Sequence, residues 1–278
     1  MTIAMTPALT TRTLTTRWQG TGFANQIGIL TGRSLRALVG NPKLMIFSVL
    51  QPLIMLLLFS QVFSGIAGTG GFPPGVSYID YLMPAILVTT GVGAALQSGI
   101  GLVTDMKNGV LARLRSLPIN PSSVLVARSV ADLIRTALQL VILLVAAVVL
   151  FGFSPAGGVL GVFPAFLLAL AVSWSLSWVF LAIASWLRNA ETMQTVGFLA
   201  MFPLMFASSA FVPIDGLPTW LRVVATINPL TYAVDASRHL ALAMPVGSGV
   251  VGALLASAGL LTVGVVAAIR GFRRPLAA

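Results

Sequence analysis

The chain has 278 residues, 57% hydrophobic and 8% charged, with 16 Lys and Arg against 6 Asp and Glu for a formal charge of +10. Soluble domains carry about 25% charged residues, so a chain with a mean hydropathy of +0.99 has lipid as the solvent for much of its surface. There is no cysteine and a single histidine, His239, which excludes disulfides, thiolate chemistry and any multi-histidine metal centre.

The Thr-rich residues 1–24 read as a disordered tail. From Asn25 to Val39, residues Ile27, Leu30, Ser34, Leu35 and Leu38 fall to one side and Arg33 and Arg36 elsewhere, the pattern of an amphipathic helix lying in the plane of the membrane. Gly40, Asn41 and Pro42 then turn the chain inward. No short apolar core with a small-residue cleavage site occurs in the first 44 residues, so the first span is expected to stay in the mature protein.

A spanning segment must satisfy its own backbone, as a helix of roughly 20 residues or a closed barrel strand of roughly 10. Six apolar runs are long enough for helices: Met45 to Phe63, Leu82 to Val103, Thr136 to Phe153, Val159 to Ser185, Met193 to Val212 and Ser248 to Ile269. The expected fold class is therefore an all-α integral membrane protein with six transmembrane helices.

Fourteen of the sixteen basic residues fall before the first span, in the second-to-third and fourth-to-fifth connections, or in the tail; only Arg222 and Arg238 fall on the opposite side. That asymmetry predicts two cytoplasmic termini. It also accounts for the basic charge without a nucleic-acid partner. Every ionisable residue lies outside the spans, which argues against a proton relay but leaves sodium coupling through backbone carbonyls open.

Polar residues do occur within the spans: Gln51, Gln61, Gln97, Gln139, Gln194 and the group Ser173, Trp174, Ser175, Ser177 and Trp178. They read either as interhelical hydrogen bonds or, for Gln51, Gln97, Ser173, Trp174, Ser177 and Trp178, as the lining of a path for an amphipathic substrate. Gly91, Ala95 and Gly99 form a small-residue stripe suited to close helix packing.

Two connections look built for a purpose. Between the second and third spans, Leu111, Leu114 and Leu117 recur every third residue with Arg113 and Arg115 on other faces and Pro118 as a stop, giving a short amphipathic helix. Its leucines need either the bilayer interface or a groove on a cytoplasmic partner. After Pro121, Arg128, Asp132 and Arg135 are spaced for two ion pairs along a solvated helix face.

Between the fifth and sixth spans, Asp215 belongs to a connecting hairpin in which Pro218 can open a short helix containing Trp220, Leu221 and Val224. Asn228 is a good N-cap for a second helix with Pro229 at its first position. There Leu230, Ala233 and Val234 form an apolar face and Asp235 can pair with Arg238. The expectation is an external re-entrant or interfacial hairpin, with Trp220, Tyr232 and His239 at the membrane–water boundary.

At these residues the chain resembles the permease subunits of type-2 ABC exporters, especially the daunorubicin-resistance-like group. The resemblance rests on Leu111-Ala-Arg-Leu-Arg-Ser-Leu-Pro118, on Val212-Pro-Ile-Asp-Gly-Leu-Pro-Thr-Trp-Leu221, and above all on Asn228-Pro-Leu-Thr-Tyr-Ala-Val-Asp-Ala-Ser-Arg238. It implies one transmembrane permease domain over residues 25–278 and a coupling helix at Leu111 to Pro118 that docks on a cytoplasmic ABC ATPase. It also implies two ATPase subunits per complex and a second permease chain, identical or homologous, with first and fifth spans near the dimer interface. ATP and Mg would then bind in the ATPase subunits and no cofactor in this chain. Consistent with that, its only lysines, Lys43 and Lys107, follow Pro42 and Met106, so the Gly-Lys-Ser/Thr of a phosphate loop is missing.

The chain is thus read as a permease subunit rather than an enzyme, surrounded by membrane lipid. Uniformly apolar spans favour export of a hydrophobic or amphipathic drug or lipid. Fourteen arginines against two lysines point to a GC-rich bacterial source and hence to the plasma membrane. An ion-coupled secondary carrier and a non-transporting membrane scaffold or immunity protein remain the alternatives.

Overall fold

The computed structural model describes residues 22–40, 42–63, 75–110, 120–245, 247 and 249–272. Among the described residues the regular elements are helical: α1 (Phe23–Val39), α2 (Pro42–Phe63), α3 (Tyr78–Lys107), α4 (Pro121–Phe151), α5 (Gly158–Leu187), α6 (Ala190–Phe206), a 3-10 turn (Ile214–Gly216), α7 (Thr219–Ile227), α8 (Pro229–Ala241) and α9 (Gly249–Phe272). Helices α2, α3, α4, α5 and α9 are long and apolar enough to cross a bilayer. The chain is an all-α, multi-pass membrane protein.

Short polar side chains fix where the helices start. Ser77 accepts the amide of Asp80 at 3.1 Å and donates to its carboxylate at 2.7 Å, closing the first turn of α3. The other oxygen of Asp80 accepts the Ser154 amide at 2.9 Å, which ties that turn to the loop after α4. Asn120 caps α4, with Pro121 at the first helical position, and Asn189 caps α6 through the amides of Glu191 and Thr192. Gly152, at φ 67°, ends α4 in the left-handed conformation that glycine adopts without a side-chain clash.

Helix α3 is the most buried span, and α5 comes next; α2 and α9 keep most of their apolar surface facing outward, toward lipid. The α3–α5 contact needs the small-residue stripe expected from sequence. A Cβ at Gly91 would lie 2.9 Å from the Ser173 Cβ, and one at Gly99 would lie 2.6 Å from the Met193 Cε and 2.9 Å from the Phe180 carbonyl. Because that carbonyl is backbone and cannot swing aside, Gly99→Ala is expected to destabilise the protein by about 1–3 kcal/mol, read as a lower melting temperature in detergent. Gly93→Ala, whose Cβ meets nothing within 4 Å, is expected to melt no lower than the parent.

The expected amphipathic helix ahead of the first span is present as α1. It begins at Phe23 and packs on the first half of α4, where the Thr31 hydroxyl donates to the Ala127 carbonyl at 3.2 Å and Gln26 accepts the Asn120 amide at 3.1 Å. The buried residues of this contact are Gln26 and Thr31, with Ile27, Leu30, Leu35 and Leu38 half-buried.

Two expectations are corrected. The fifth span, expected from Met193 to Val212, is the 17-residue helix α6, which stops at Phe206 and gives way to a non-helical stretch through Pro213. Pro203 removes a helix donor near that end, and the carbonyls of Leu204 and Ala207 are taken by a side chain from elsewhere in the fold. The Arg128–Asp132–Arg135 series is not a solvated ladder: Asp132 pairs with Arg128 at 3.6 Å and accepts the Ser98 hydroxyl, and Arg135 has no ion pair among the described residues. The expected tail 1–24 lies largely outside the described residues.

Candidate functional site

Asn228 and Arg238 join α3, α6 and α8 at one end of the helices. The Asn228 side-chain oxygen accepts the Leu230 amide at 2.9 Å, capping α8 as expected. Its amide nitrogen also donates at 2.7 Å to both the Leu204 and Ala207 carbonyls, so one buried side chain starts α8 and finishes α6. The backbone left over where α6 stops is therefore not orphaned. At the far end of α8, the Ala241 carbonyl accepts the Gly157 amide at 3.0 Å, and Cβ atoms at Gly157 or Gly161 would lie within 2.6 Å of the α8 terminal carbonyls.

Arg238, only 5% exposed, holds the centre of this arrangement. It donates to Asp235 at 2.9 Å, to the Tyr81 carbonyl of α3 at 3.1 Å, and to the Ser209 carbonyl at 2.9 Å, with the guanidinium 3.7 Å above the Tyr81 ring. Asp235 also accepts the Ser209 hydroxyl at 2.6 Å, and the Tyr78 hydroxyl donates to the Phe211 carbonyl at 3.2 Å. The non-helical stretch after α6 is thus bound on both sides by polar groups of α3 and α8, which is the condition for irregular backbone at membrane depth.

The remaining hairpin residues lie further out. Trp220 and Tyr232 are exposed; the Tyr232 hydroxyl donates to the Thr226 carbonyl at 2.7 Å. Trp220, Val223, Val224 and Ile227 make one exposed apolar face on α7, suited to an interface. Asp215 sits in the 3-10 turn, where its carbonyl accepts from Arg222, and Pro229 occupies the first position of α8. His239 is half-buried, with Nδ1 3.1 Å from the Pro245 carbonyl.

Gln51 and Gln97 meet in a cleft of ≈540 Å³ between α2, α3, α4 and α6. Gln139 shares it and donates to the Ser48 carbonyl at 2.8 Å. The serine–tryptophan group of α5 lies elsewhere. Ser173 donates to the Gly91 carbonyl at 3.0 Å, Trp174 to the Ser129 hydroxyl at 2.7 Å, and Ser177 to its own helix at the Trp174 carbonyl. Trp178 is buried against α9, and its indole nitrogen finds no partner among the described residues. These four residues pack α5 onto its neighbours and do not line the cleft with Gln51 and Gln97.

Comparison with known proteins decides the family: the model of the ABC-2 type transporter matches residues 25–242. The chain belongs to the ABC-2 type transporter family. It is 31% identical over 209 residues to a daunorubicin resistance ABC transporter permease protein of Streptomyces coeruleorubidus, covering 75% of this chain and 72% of that protein. It is 26% identical over 255 residues to a "Probable doxorubicin resistance ABC transporter permease protein" of Mycobacterium tuberculosis, covering 91% and 90%. Similarity to a "Probable multidrug ABC transporter permease" of Escherichia coli is 22% over 174 residues, 62% of this chain and 46% of that protein. The ABC-2 chain described here is accordingly a permease subunit, with nucleotide binding and hydrolysis assigned to a separate ATPase.

Leu111, Arg113, Leu114, Arg115, Leu117 and Pro118 lie outside the described residues. The helices on either side of that segment are described, and here sequence reasoning missed a cluster. Arg128 of α4 pairs with Asp105 near the end of α3 and with Asp132, while Ser98 of α3 donates to Asp132. A Cβ at Gly101 would collide with the Arg128 guanidinium, so glycine leaves the room this pairing needs. The spacing of Arg128 and Asp132 was visible in the sequence; the partners from α3 were not.

Proposed function

We propose that this permease subunit exports a hydrophobic or amphipathic drug or lipid across the bacterial plasma membrane, both termini facing the cytoplasm. It works as two permease chains, identical or homologous, with two ABC ATPase subunits that bind ATP and Mg. The observation that carries this reading is the family match over residues 25–242, which takes in the cytoplasmic leucine segment and the outer hairpin together. The relatives named for daunorubicin and doxorubicin resistance support a drug-like cargo.

In this scheme Leu111, Leu114 and Leu117 are the anchors seated in the ATPase, flanked by Arg113 and Arg115 and ended by Pro118. Closure of the ATPase dimer on ATP pushes that segment. Arg128, Asp105, Asp132 and Ser98 fasten α3 to α4, so the push moves both helices together relative to α2 and α6. The cleft holding Gln51 and Gln97 lies between those pairs and changes shape with them. The hairpin of Asn228 to Arg238 closes the outer end.

The test is gentle purification of the tagged chain from its native membrane followed by native mass spectrometry. The expected assembly is two permease chains with two nucleotide-binding subunits. Leu114→Asp, which sets a charge among the leucine anchors, is expected to insert normally and to lower ATPase recovery about tenfold, the equivalent of about 1.4 kcal/mol of binding. Absence of any ATPase even after cross-linking, together with gradient-driven flux that needs no nucleotide, would overturn the reading in favour of an ion-coupled carrier.

A further inference from the structure

Among the polar side chains that line the cleft beside α2, Gln51, Gln97 and Arg135 have no hydrogen-bond or ion-pair partner among the described residues. At membrane depth such groups are costly unless something satisfies them. Arg135 is the sole charged side chain among the described residues of the lining.

The carboxylates of this chain are otherwise disposed. All six acidic residues are described. Asp105 and Asp132 pair with Arg128, Asp235 pairs with Arg238, and Asp80 holds Ser77 and Ser154. Glu191 and Asp215 lie in the first turn of α6 and in the 3-10 turn. None lines the cleft. The pairing with Asp132 that sequence spacing offered to Arg135 is pre-empted by Arg128 and Ser98.

The lining differs between its ends. Arg135 lies one helical turn before Gln139, which bonds Ser48, and so toward the end where α2 begins; Gln97 is level with it, since the adjacent Ser98 meets Asp132. Gln51 lies further along α2, Met205 and Phe211 line the opposite end, and Met45, Phe47 and Phe198 add apolar surface between. One end thus offers a fixed cation beside a neutral hydrogen-bonding group, and thioether and aromatic surface that adapts to irregular apolar shapes runs along the cleft.

We infer that this cleft takes an amphiphile with an acidic head group, which pairs with Arg135 while its apolar body lies toward Met205 and Phe211. A guanidinium with no internal partner favours a carboxylate or phosphate through charge-assisted hydrogen bonds and repels a cationic head. The inference deepens the cargo reading above and rests on it for transport, but binding is tested without the ATPase.

The full chain in phosphatidylcholine nanodiscs is titrated with three probes sharing a dansyl-undecyl body and ending in a carboxylate, a neutral amide or an amine, with empty nanodiscs subtracted. The carboxylate is expected to bind about tenfold tighter than the amine, with the amide between. Arg135→Gln should bring the carboxylate to the level of the amide and leave amide binding as it was, which also shows that the variant is folded; Arg135→Lys should keep the original order.

The same order of affinities in Arg135→Gln as in the parent overturns the inference. So does failure of all three probes to bind the parent, the result if a second copy of the chain fills the cleft. Replacing phosphatidylcholine with phosphatidylglycerol separates the remaining source of an anion: loss of carboxylate binding in that bilayer would assign Arg135 to a bulk lipid head group and overturn the inference as well. ATP-driven efflux by the whole complex is scored separately. Efflux without charge discrimination sinks this inference alone, and discrimination without efflux sinks the export reading alone.

Discussion

Arg238→Ala is expected to destabilise the junction of α3 and α8 by about 3 kcal/mol, the lower part of the range for removing one partner of a buried ion pair, because Asp235 keeps 36% side-chain exposure. The loss is concentrated in backbone acceptors. The Tyr81 and Ser209 carbonyls each lose a guanidinium donor, and the Tyr81 ring loses the cation above it. Since those carbonyls belong to α3 and to the stretch after α6, the effect should appear as protease cleavage around residues 207–213 and a melting temperature lower by several degrees. Arg238→Lys should recover part of the loss. An ammonium keeps the charge but lacks the planar fork that reaches Asp235 and the two backbone oxygens together. Equal protease resistance of Arg238→Ala and the parent would show that the latch does not hold that stretch.

What the sequence made legible follows from the range of each interaction. Long apolar runs, the amphipathic α1, the Asn228–Pro229 helix start and the Asp235–Arg238 pair all depend on neighbours within a few residues, and each stands close to where spacing put it. Gly91 and Gly99 were legible as a close-packing stripe because small residues four or eight apart have few other uses in a span.

The misses are tertiary. Within Met193–Val212 only Pro203 hints that helix α6 ends at Phe206, and the donor replacing its lost helical bonds comes from Asn228. Arg128 and Asp132 looked like a surface pair until Asp105 and Ser98 closed on them from α3. Among the pathway candidates, hydropathy could not separate the α5 serines and tryptophans, which face other helices, from Gln51 and Gln97, which face a cleft. Side-chain direction within a uniformly apolar span is set by neighbours that the linear pattern does not contain.

Substitutions at Asn228 distinguish a helix cap from a tie between helices. Asn228→Ala removes the acceptor for the Leu230 amide and both donors to the Leu204 and Ala207 carbonyls. The lost cap costs about 1 kcal/mol, and buried carbonyls left without donors cost about 1–3 kcal/mol more. Asn228→Asp separates the two terms. Aspartate is as good an N-cap as asparagine and its charge suits a helix N-terminus, so if capping were the whole role the variant would melt at or above the parent temperature. With two carbonyl oxygens 2.7 Å from the amide nitrogen, the carboxylate faces acceptors and has no proton to offer at neutral pH. The expected order of melting temperature is therefore parent above alanine, with aspartate no better than alanine. Lowering the pH toward the carboxylate range, where aspartic acid regains one donor, should restore part of the loss in Asn228→Asp and none in Asn228→Ala. An aspartate variant as stable as the parent at pH 7 would mean that the end of α6 is held by packing alone.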